Sequence, residues 1–511
     1  MRSQNPILIV FPLLLSLLPL SFCLLTGLSF AETIHSRLAS HFDVMEVEVI
    51  SKESVKPSSP TPHHLKIFEL SLLDQLVINP YIPVIFYYPN RNGDNILQAQ
   101  EKSLALKESL SKTLTQFYPL AGTVKDDLSI DCNDVGAYYA LALVRLRLDE
   151  FLSHPDLKLT YRLLPFQPSF EASGIGGRVT NVQVNIFECG GIAIGFCISH
   201  KVVDAASLYT FFKGWANMTC GAKEVVCPNF TTRSLFPAKD LWLKETSIAV
   251  CGSWLKQGMC ITKRLVFDVD AISALKAEAT RNGVQNPTRV EVVTALIWKC
   301  AMAASQENCG FQKPSLLTHM MNLRRKLAST LPKDLIGNMI WFTSAECRAN
   351  DETTIDALVK KVRDSISEIN NEFVNKAQGD KGYIALQESM KVIGEISSTG
   401  TMDVFNFTSW CKMGFYDIDF GWGKPCWLTG AIGDGCPVFL NLIQLVDTKC
   451  GEGIEVWVNL SEEEMEILQG NSELLAFASF DPSPLPKDEV AALSKPHAMT
   501  IQTDPIKLVK Q

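Results

Sequence analysis

VQVNIFECGGIAIGFCISHKVVDAASLYTFFKGW, residues 182–215, is the stretch on which the reading of this chain turns. Val182, Val184 and Ile186 alternate with Gln183 and Asn185, the two-residue period of a strand with one buried face. Glu188-Cys189-Gly190-Gly191 turns the chain, and Ile192, Ile194, Phe196 and Ile198 make the returning strand. The hairpin delivers Ser199 and His200 to a strand end. A helix follows at once, with Leu208, Phe211, Phe212 and Trp215 at helical spacing on its buried side. Asp204 stands just before that helix, where an aspartate commonly caps free N–H groups.

The same mixture continues on either side. Tyr81 to Tyr88 reads as a strand, closed by Pro89-Asn90 and Gly93, and 96–118 as a helix with Leu106, Leu110, Leu114 and Phe117 on one face. Residues 218–240 show little periodicity and read as a crossover linker. Beyond them, helices are expected near 271–282, 288–305, 352–374 and 380–396. A second hairpin joins Val438–Val446 to Ile454–Leu460, and Ser461 with Glu464 forms a capping box. No internal repeat is evident. The expected architecture is α/β: two similar domains of mixed sheet with packed helices, 45–217 and 241–480, between an apolar leader at 1–44 and a tail at 481–511. A cleft between such domains is where a ligand site is expected.

Composition narrows the function. The 511 residues are 47% apolar and 20% charged, too apolar for a disordered chain. The net charge of -8 argues against a nucleic-acid partner. The 15 cysteines have no paired or metal-type spacing, which suits free thiols in a reducing compartment and offers no metal site. Of the eight histidines, only His200 has a carboxylate four residues on, at Asp204. An imidazole that titrates near neutrality can take a proton from a hydroxyl and return it. The carboxylate could hold its second nitrogen, but the cap position favours Asp204 as a positioning group.

The run His200-Lys201-Val202-Val203-Asp204, together with Asp419-Phe420-Gly421-Trp422-Gly423, resembles the plant BAHD acyltransferase family. Supporting runs are Leu70-Ser71-Leu72-Leu73-Asp74, Tyr118-Pro119-Leu120-Ala121-Gly122, Asn322-Leu323-Arg324-Arg325, Gly337-Asn338 and Thr408-Ser409-Trp410. The resemblance spans residues 45–479. The start at Met45 and the run from Ser199 to Ala205 look like the vinorine-synthase-like group, which acetylates alkaloid and terpenoid hydroxyls. The family commonly has glycine where Ala205 stands; as a first helical residue, alanine is an improvement.

The resemblance implies a chloramphenicol-acetyltransferase-like fold with a central solvent channel, and a monomer. The co-substrate would be an acyl-CoA, acetyl-CoA first, with no bound cofactor and no metal. The acceptor would be a small-molecule alcohol. His200 would be the general base and Asp204 a positioning group. Thr408 would steady the oxyanion and Trp410 line the donor side. Arg324 and Arg325 would meet CoA phosphates. Asp419, Phe420, Gly421, Trp422 and Gly423 would form a structural turn remote from the chemistry, with Asp419 paired to a basic group. The alternatives are a longer or aromatic acyl donor and a non-catalytic, metabolite-binding relative.

The leader admits two readings. Residues 7–25 are almost continuously apolar and lie before Ser29-Phe30-Ala31, as in a secretory signal or an endoplasmic-reticulum anchor. Met45, however, opens a run that reads as the natural start of a soluble protein. Sequons stand at Asn217, Asn229, Asn406 and Asn459. A glycan on Asn406 would crowd Thr408, which favours a cytoplasmic catalytic protein.

Overall fold

In the computed structural model the described residues are 45–77, 81–169, 174–238, 250–327, 331–397, 402–430, 433, 435–486 and 490. The leader 1–44 and all but a few residues of the tail lie outside them. The first sheet is built from β1 (Val47–Val55), β2 (Tyr81–Tyr88), β3 (Ala137–Val144), β4 (Thr180–Phe187) and β5 (Ile192–Ser199). The second half supplies β6 (Cys260–Phe267), β7 (Ser315–Asn322), β8 (Ile340–Cys347), β9 (Asp403–Ser409), β10 (Trp427–Thr429), β11 (Leu442–Asp447), β12 (Ile454–Ser461) and β13 (Ser479–Phe480). The orders are β1-β3-β4-β5-β2-β10 and β8-β7-β9-β11-β12-β6-β13. Both sheets are mixed: β3 and β4 run parallel in the first, as do β7-β9 and β9-β11 in the second.

The key hairpin forms as expected, but more deeply buried. Every residue of β4 and β5 is buried, Gln183 and Asn185 included. The segment at 157–164 covers the face that the alternation assigned to water. Gln183 donates to Arg162 O at 2.8 Å and Asn185 to Leu163 O at 2.9 Å, so two buried amides fix that cover to the sheet. Gly195 permits the approach, since a Cβ there would lie 2.0 Å from Leu163 O.

Helix α1 (Ile96–Gln116) and helix α2 (Ala205–Cys220) pack together on the first sheet. Leu106, Leu110 and Leu114 meet Leu208, Phe211 and Trp215 in a fully buried layer. The Trp215 indole donates to Leu106 O at 3.1 Å and is satisfied there. Helices α3 (Val269–Arg281), α4 (Arg289–Cys309), α5 (Ile355–Glu368) and α6 (Gly382–Ser397) fall near their expected positions. The expected helix 352–374 is interrupted, its end forming a separate turn at Asn371–Lys376 capped by Asn370. The expected strand Val438–Val446 is likewise two pieces, Val438–Phe439 pairing with Lys256–Gln257 and only Leu442–Asp447 joining the large sheet. Ser461 caps its helix, but Glu464 does not complete the box, because its carboxylate pairs with Lys256 at 3.0 Å.

One strand crosses the boundary drawn at 218–240. β10 belongs to the second half in sequence, yet it pairs antiparallel with β2 of the first sheet, Trp427 opposite Tyr87. The described residues from Glu46 onward pack as one compact unit. The Trp427 ring is fully buried, stacked on Tyr87 at 5.0 Å and on Trp457 of β12 at 5.8 Å. Its indole N–H donates to Glu455 at 3.1 Å, and Glu455 holds the buried Arg264 at 3.0 Å. Trp427→Ala should therefore lower the unfolding free energy by about 3–5 kcal/mol, measured by chemical denaturation. A loss near zero would show that β10 does not tie the two sheets together.

Candidate active site

The end of β5 is where the chemistry-bearing residues converge. The chain turns after Ser199, Val202 N–H donating to Ser199 O at 3.3 Å, and leaves His200 half-buried. Asp204 is extended and is the N-cap of α2, its Oδ1 accepting Ser207 N–H at 2.9 Å. Ala205 is the first helical residue, as expected of a helix former at that position.

Asp204 does more than cap. Its Oδ2 accepts Met339 N–H at 2.9 Å and the Arg324 Nη1 at 2.6 Å. The Arg324 Nη2 donates to Ser207 Oγ at 3.0 Å and Gly337 O at 2.8 Å. The expectation that Arg324 meets CoA phosphates is therefore corrected: its fork is filled by Asp204 and its neighbours. Both Asp204 oxygens are engaged, and neither holds the imidazole. Burial alone would raise the Asp204 carboxyl, but the guanidinium and the donated N–H groups hold it below the usual carboxylate range.

A second carboxylate works from the other side. Asp74, fully buried, accepts Asn338 N–H at 2.7 Å and the Asn338 side-chain amide at 2.9 Å. That amide also donates to His200 O at 2.7 Å. Burial pushes the Asp74 carboxyl up to about 6, against the donors from Ser71 and Asn338. The segment Gly337-Asn338-Met339 is thus clamped between Asp74 and Asp204, and it grips the backbone that presents His200.

The imidazole itself is left free for chemistry. His200 Nδ1 has no hydrogen-bond partner. Burial lowers its pKa below the ordinary histidine value, more than the nearby Asp204 charge and local hydrogen bonds restore. A ring that is neutral at pH 7 can accept a proton.

His200 opens on a cavity of about 1500 Å³, its mouth included, walled by residues from both halves. Thr408 and Trp410 line it together with His200. The Thr408 hydroxyl takes no hydrogen bond within the protein among the described residues, whereas that of Ser409 accepts Cys411 N–H at 3.3 Å. Arg325 is exposed, and among the described residues its side chain hydrogen-bonds to Cys411 O, at 3.4 Å. None of Asp419, Phe420, Gly421, Trp422 and Gly423 lines the cavity. Asp419 is corrected from a partner of a basic group to a turn-former: its Oδ1 accepts Gly421 N–H at 2.8 Å and Gly423 N–H at 2.9 Å. Both glycines have positive φ, 106° and 110°, as such a turn demands. Phe420 packs edge-on against Trp215 at 5.2 Å, so the loop braces α2.

Several cavity and clamp residues carried no site role in the sequence, the clamp carboxylate Asp74 among them. Thr318, Asn322 and Gln444 line the cavity, and Asn338 bridges Asp74 to His200. The signal for the strand residues is the two-residue period: Thr318, Met320 and Asn322 share one face of β7, as Asn406 and Thr408 do on β9 and Leu442 and Gln444 on β11. Among the described residues no group of histidine, cysteine and carboxylate side chains is placed to hold a metal.

The Asp204–Arg324 pair changes what a mutation at Asp204 should do. Asparagine caps nearly as well as aspartate, but it strands a largely buried guanidinium. Asp204→Asn should cost about 3 kcal/mol of stability, and adding Arg324→Met should restore part of it, both read by chemical denaturation. An unchanged Asp204→Asn would reduce the residue to a cap alone.

The chain as a whole is similar to known proteins. Residues 45–475 match the family described as the Transferase family. The chain is 41% identical over 453 residues to the epi-neemfruitin B 7-O-acetyltransferase of Melia azedarach, covering 86% of this chain and 100% of that one. It is 42% identical over 460 residues to the limonoid 7-O-acetyltransferase of Citrus sinensis, with the same coverage of 86% and 100%. The crystal structure of vinorine synthase superposes with a TM-score of 0.72 at 33% identity, over 85% of this chain and 99% of that one. With its two mixed sheets and a cavity holding His200, the chain belongs to the BAHD acyltransferases of the Transferase family and is an acyl-CoA-dependent acyltransferase.

Proposed function

We propose that the protein transfers acetyl from acetyl-CoA to a hydroxyl of a plant alkaloid or terpenoid, with His200 as general base. The observation that carries this reading is a histidine of lowered pKa lining one cavity with the Thr408 hydroxyl, which takes no hydrogen bond among the described residues. His200 takes the proton of the acceptor hydroxyl, and the freed oxygen bonds to the thioester carbonyl carbon. The carbonyl oxygen gains charge as that bond forms. Thr408 donates a hydrogen bond to it, worth about 3 kcal/mol in such sites. As the carbon–sulfur bond breaks, the imidazolium returns its proton to the departing thiolate. Asp204, Arg324 and Asn338 never touch substrate; they hold the turn that aims the ring. Trp410 lines the donor side, and Arg325, exposed nearby, is the remaining guanidinium suited to a CoA phosphate. The protein works as a monomer and needs neither metal nor bound cofactor, since a thioester is already activated.

His200→Ala should lower kcat/KM by at least about 100-fold with the fold unchanged by circular dichroism. In the wild-type enzyme only the neutral ring is active. Because its pKa is depressed, the acid limb of the kcat/KM profile should fall below pH 6.5. A variant retaining a tenth of the rate, or an acid limb well above 6.5, would remove His200 from the base role.

We also place the catalytic protein in the cytoplasm. Asn406 and Asn459 are buried, their side-chain oxygens accepting from Thr318 and Thr262 at 2.9 Å each. The described cysteines are free thiols. A protein starting at Met45 should be fully active, and active enzyme from its native tissue should carry no N-glycan. A glycosidase-sensitive mass shift on that enzyme would move it to the secretory route.

A further inference from the structure

Much of the cavity wall is apolar: Leu76, Ile82, Met320, Ile340, Leu440 and Leu442 contribute to it. Its polar groups are dipoles, and several are already paired. Thr318 Oγ1 donates to Asn406 Oδ1 at 2.9 Å, and Asn322 Oδ1 accepts Arg324 N–H at 3.0 Å. Among the described lining residues the titratable groups are His200, Cys251 and Asp204, and Asp204 is the sole carboxylate. Its negative charge is already matched by Arg324 at 2.6 Å.

Resting on the acetyltransferase reading, we infer that this cavity selects an electrically neutral polycyclic alcohol of terpenoid type and discriminates against an acceptor carrying a protonated amine. A neutral fused-ring skeleton loses only apolar hydration on entering such a wall, which favours binding. An ammonium group would give up its water shell and find no unmatched anion among the described lining residues. Aromatic rings do not repair that loss. Trp341 and Phe342 stack on each other at 4.9 Å and 13°, and Trp254 meets Phe342 edge-on at 5.9 Å. Ring faces are thus turned on one another and do not form a cage around a cation. The Thr318–Asn406 pair offers dipoles suited to the oxygens of a neutral polycyclic alcohol.

The test uses the full chain and two acceptors of similar size: a tetracyclic triterpenoid with one free secondary hydroxyl, and an indole alkaloid with a hydroxyl and a basic tertiary nitrogen. Affinity is measured by titration calorimetry from pH 6.5 to 8.5. At pH 6.5 the triterpenoid should bind at least tenfold tighter. The alkaloid should tighten nearly tenfold per pH unit until its amine is deprotonated, while the triterpenoid stays constant. Met320→Glu, at a position 39% exposed on the wall, should raise alkaloid affinity at pH 6.5 at least tenfold. Alkaloid affinity that ignores pH or exceeds that of the triterpenoid at pH 6.5, binding of neither ligand, or a Met320→Glu variant with no gain would each overturn the inference. Acetyl transfer from acetyl-CoA is assayed separately. Binding in the expected order without transfer would sink the acetyltransferase reading and leave the selectivity standing, whereas transfer favouring the protonated alkaloid would sink the selectivity alone.

Discussion

The active site depends on one carboxylate. Asp204 joins the first turn of α2 to the guanidinium of Arg324 and the backbone of Met339, which lie 120 and 135 residues further along the chain. A buried ion pair of this kind adds little net stability, because taking both charges out of water offsets their attraction. Its value is geometric. Once Arg324 is fixed, it gathers Ser207 and the carbonyl of Gly337, and the 337–339 segment falls into place between Asp204 and Asp74. The position of His200 follows, because Asn338 holds its carbonyl.

The same arrangement sets the electrical state of the base. An imidazole in an apolar enclosure resists protonation, while an adjacent free carboxylate would counteract that. Here the carboxylate is committed to Arg324 and to backbone N–H groups, so burial prevails and the ring stays a proton acceptor. Positioning and reactivity are therefore coupled through one carboxylate whose oxygens are both taken up within the protein.

Much of the fold was legible because local pattern and tertiary role agree. The strand at Tyr81, the hairpin and the layer of Leu208, Phe211 and Trp215 each repeat at the period of their element. What was illegible depended on partners distant in sequence. Gln183 and Asn185 look like an exposed face until a covering segment at Arg162 and Leu163 supplies acceptors. Glu464 looks like half of a capping box until Lys256 competes for it. Arg324 resembles any basic residue near a ligand, and only the approach of β5 to the 323–326 turn shows that its charge is internal. Thr318 and Gln444 carry no motif of their own; they become wall residues because their strands lie beside β9.

The strand exchange at β10 constrains how ligands come and go. Two lobes joined only by a flexible connector can swing about a hinge, opening to admit a ligand and closing over it. Here the second half threads a strand into the first sheet, pairing Trp427 with Tyr87 and Thr429 with Ile85. Swinging the halves apart would break that pairing and pull the Trp427 ring out of its stack. That pairing therefore resists a hinge motion that would separate His200, at the end of β5, from Thr408 on β9.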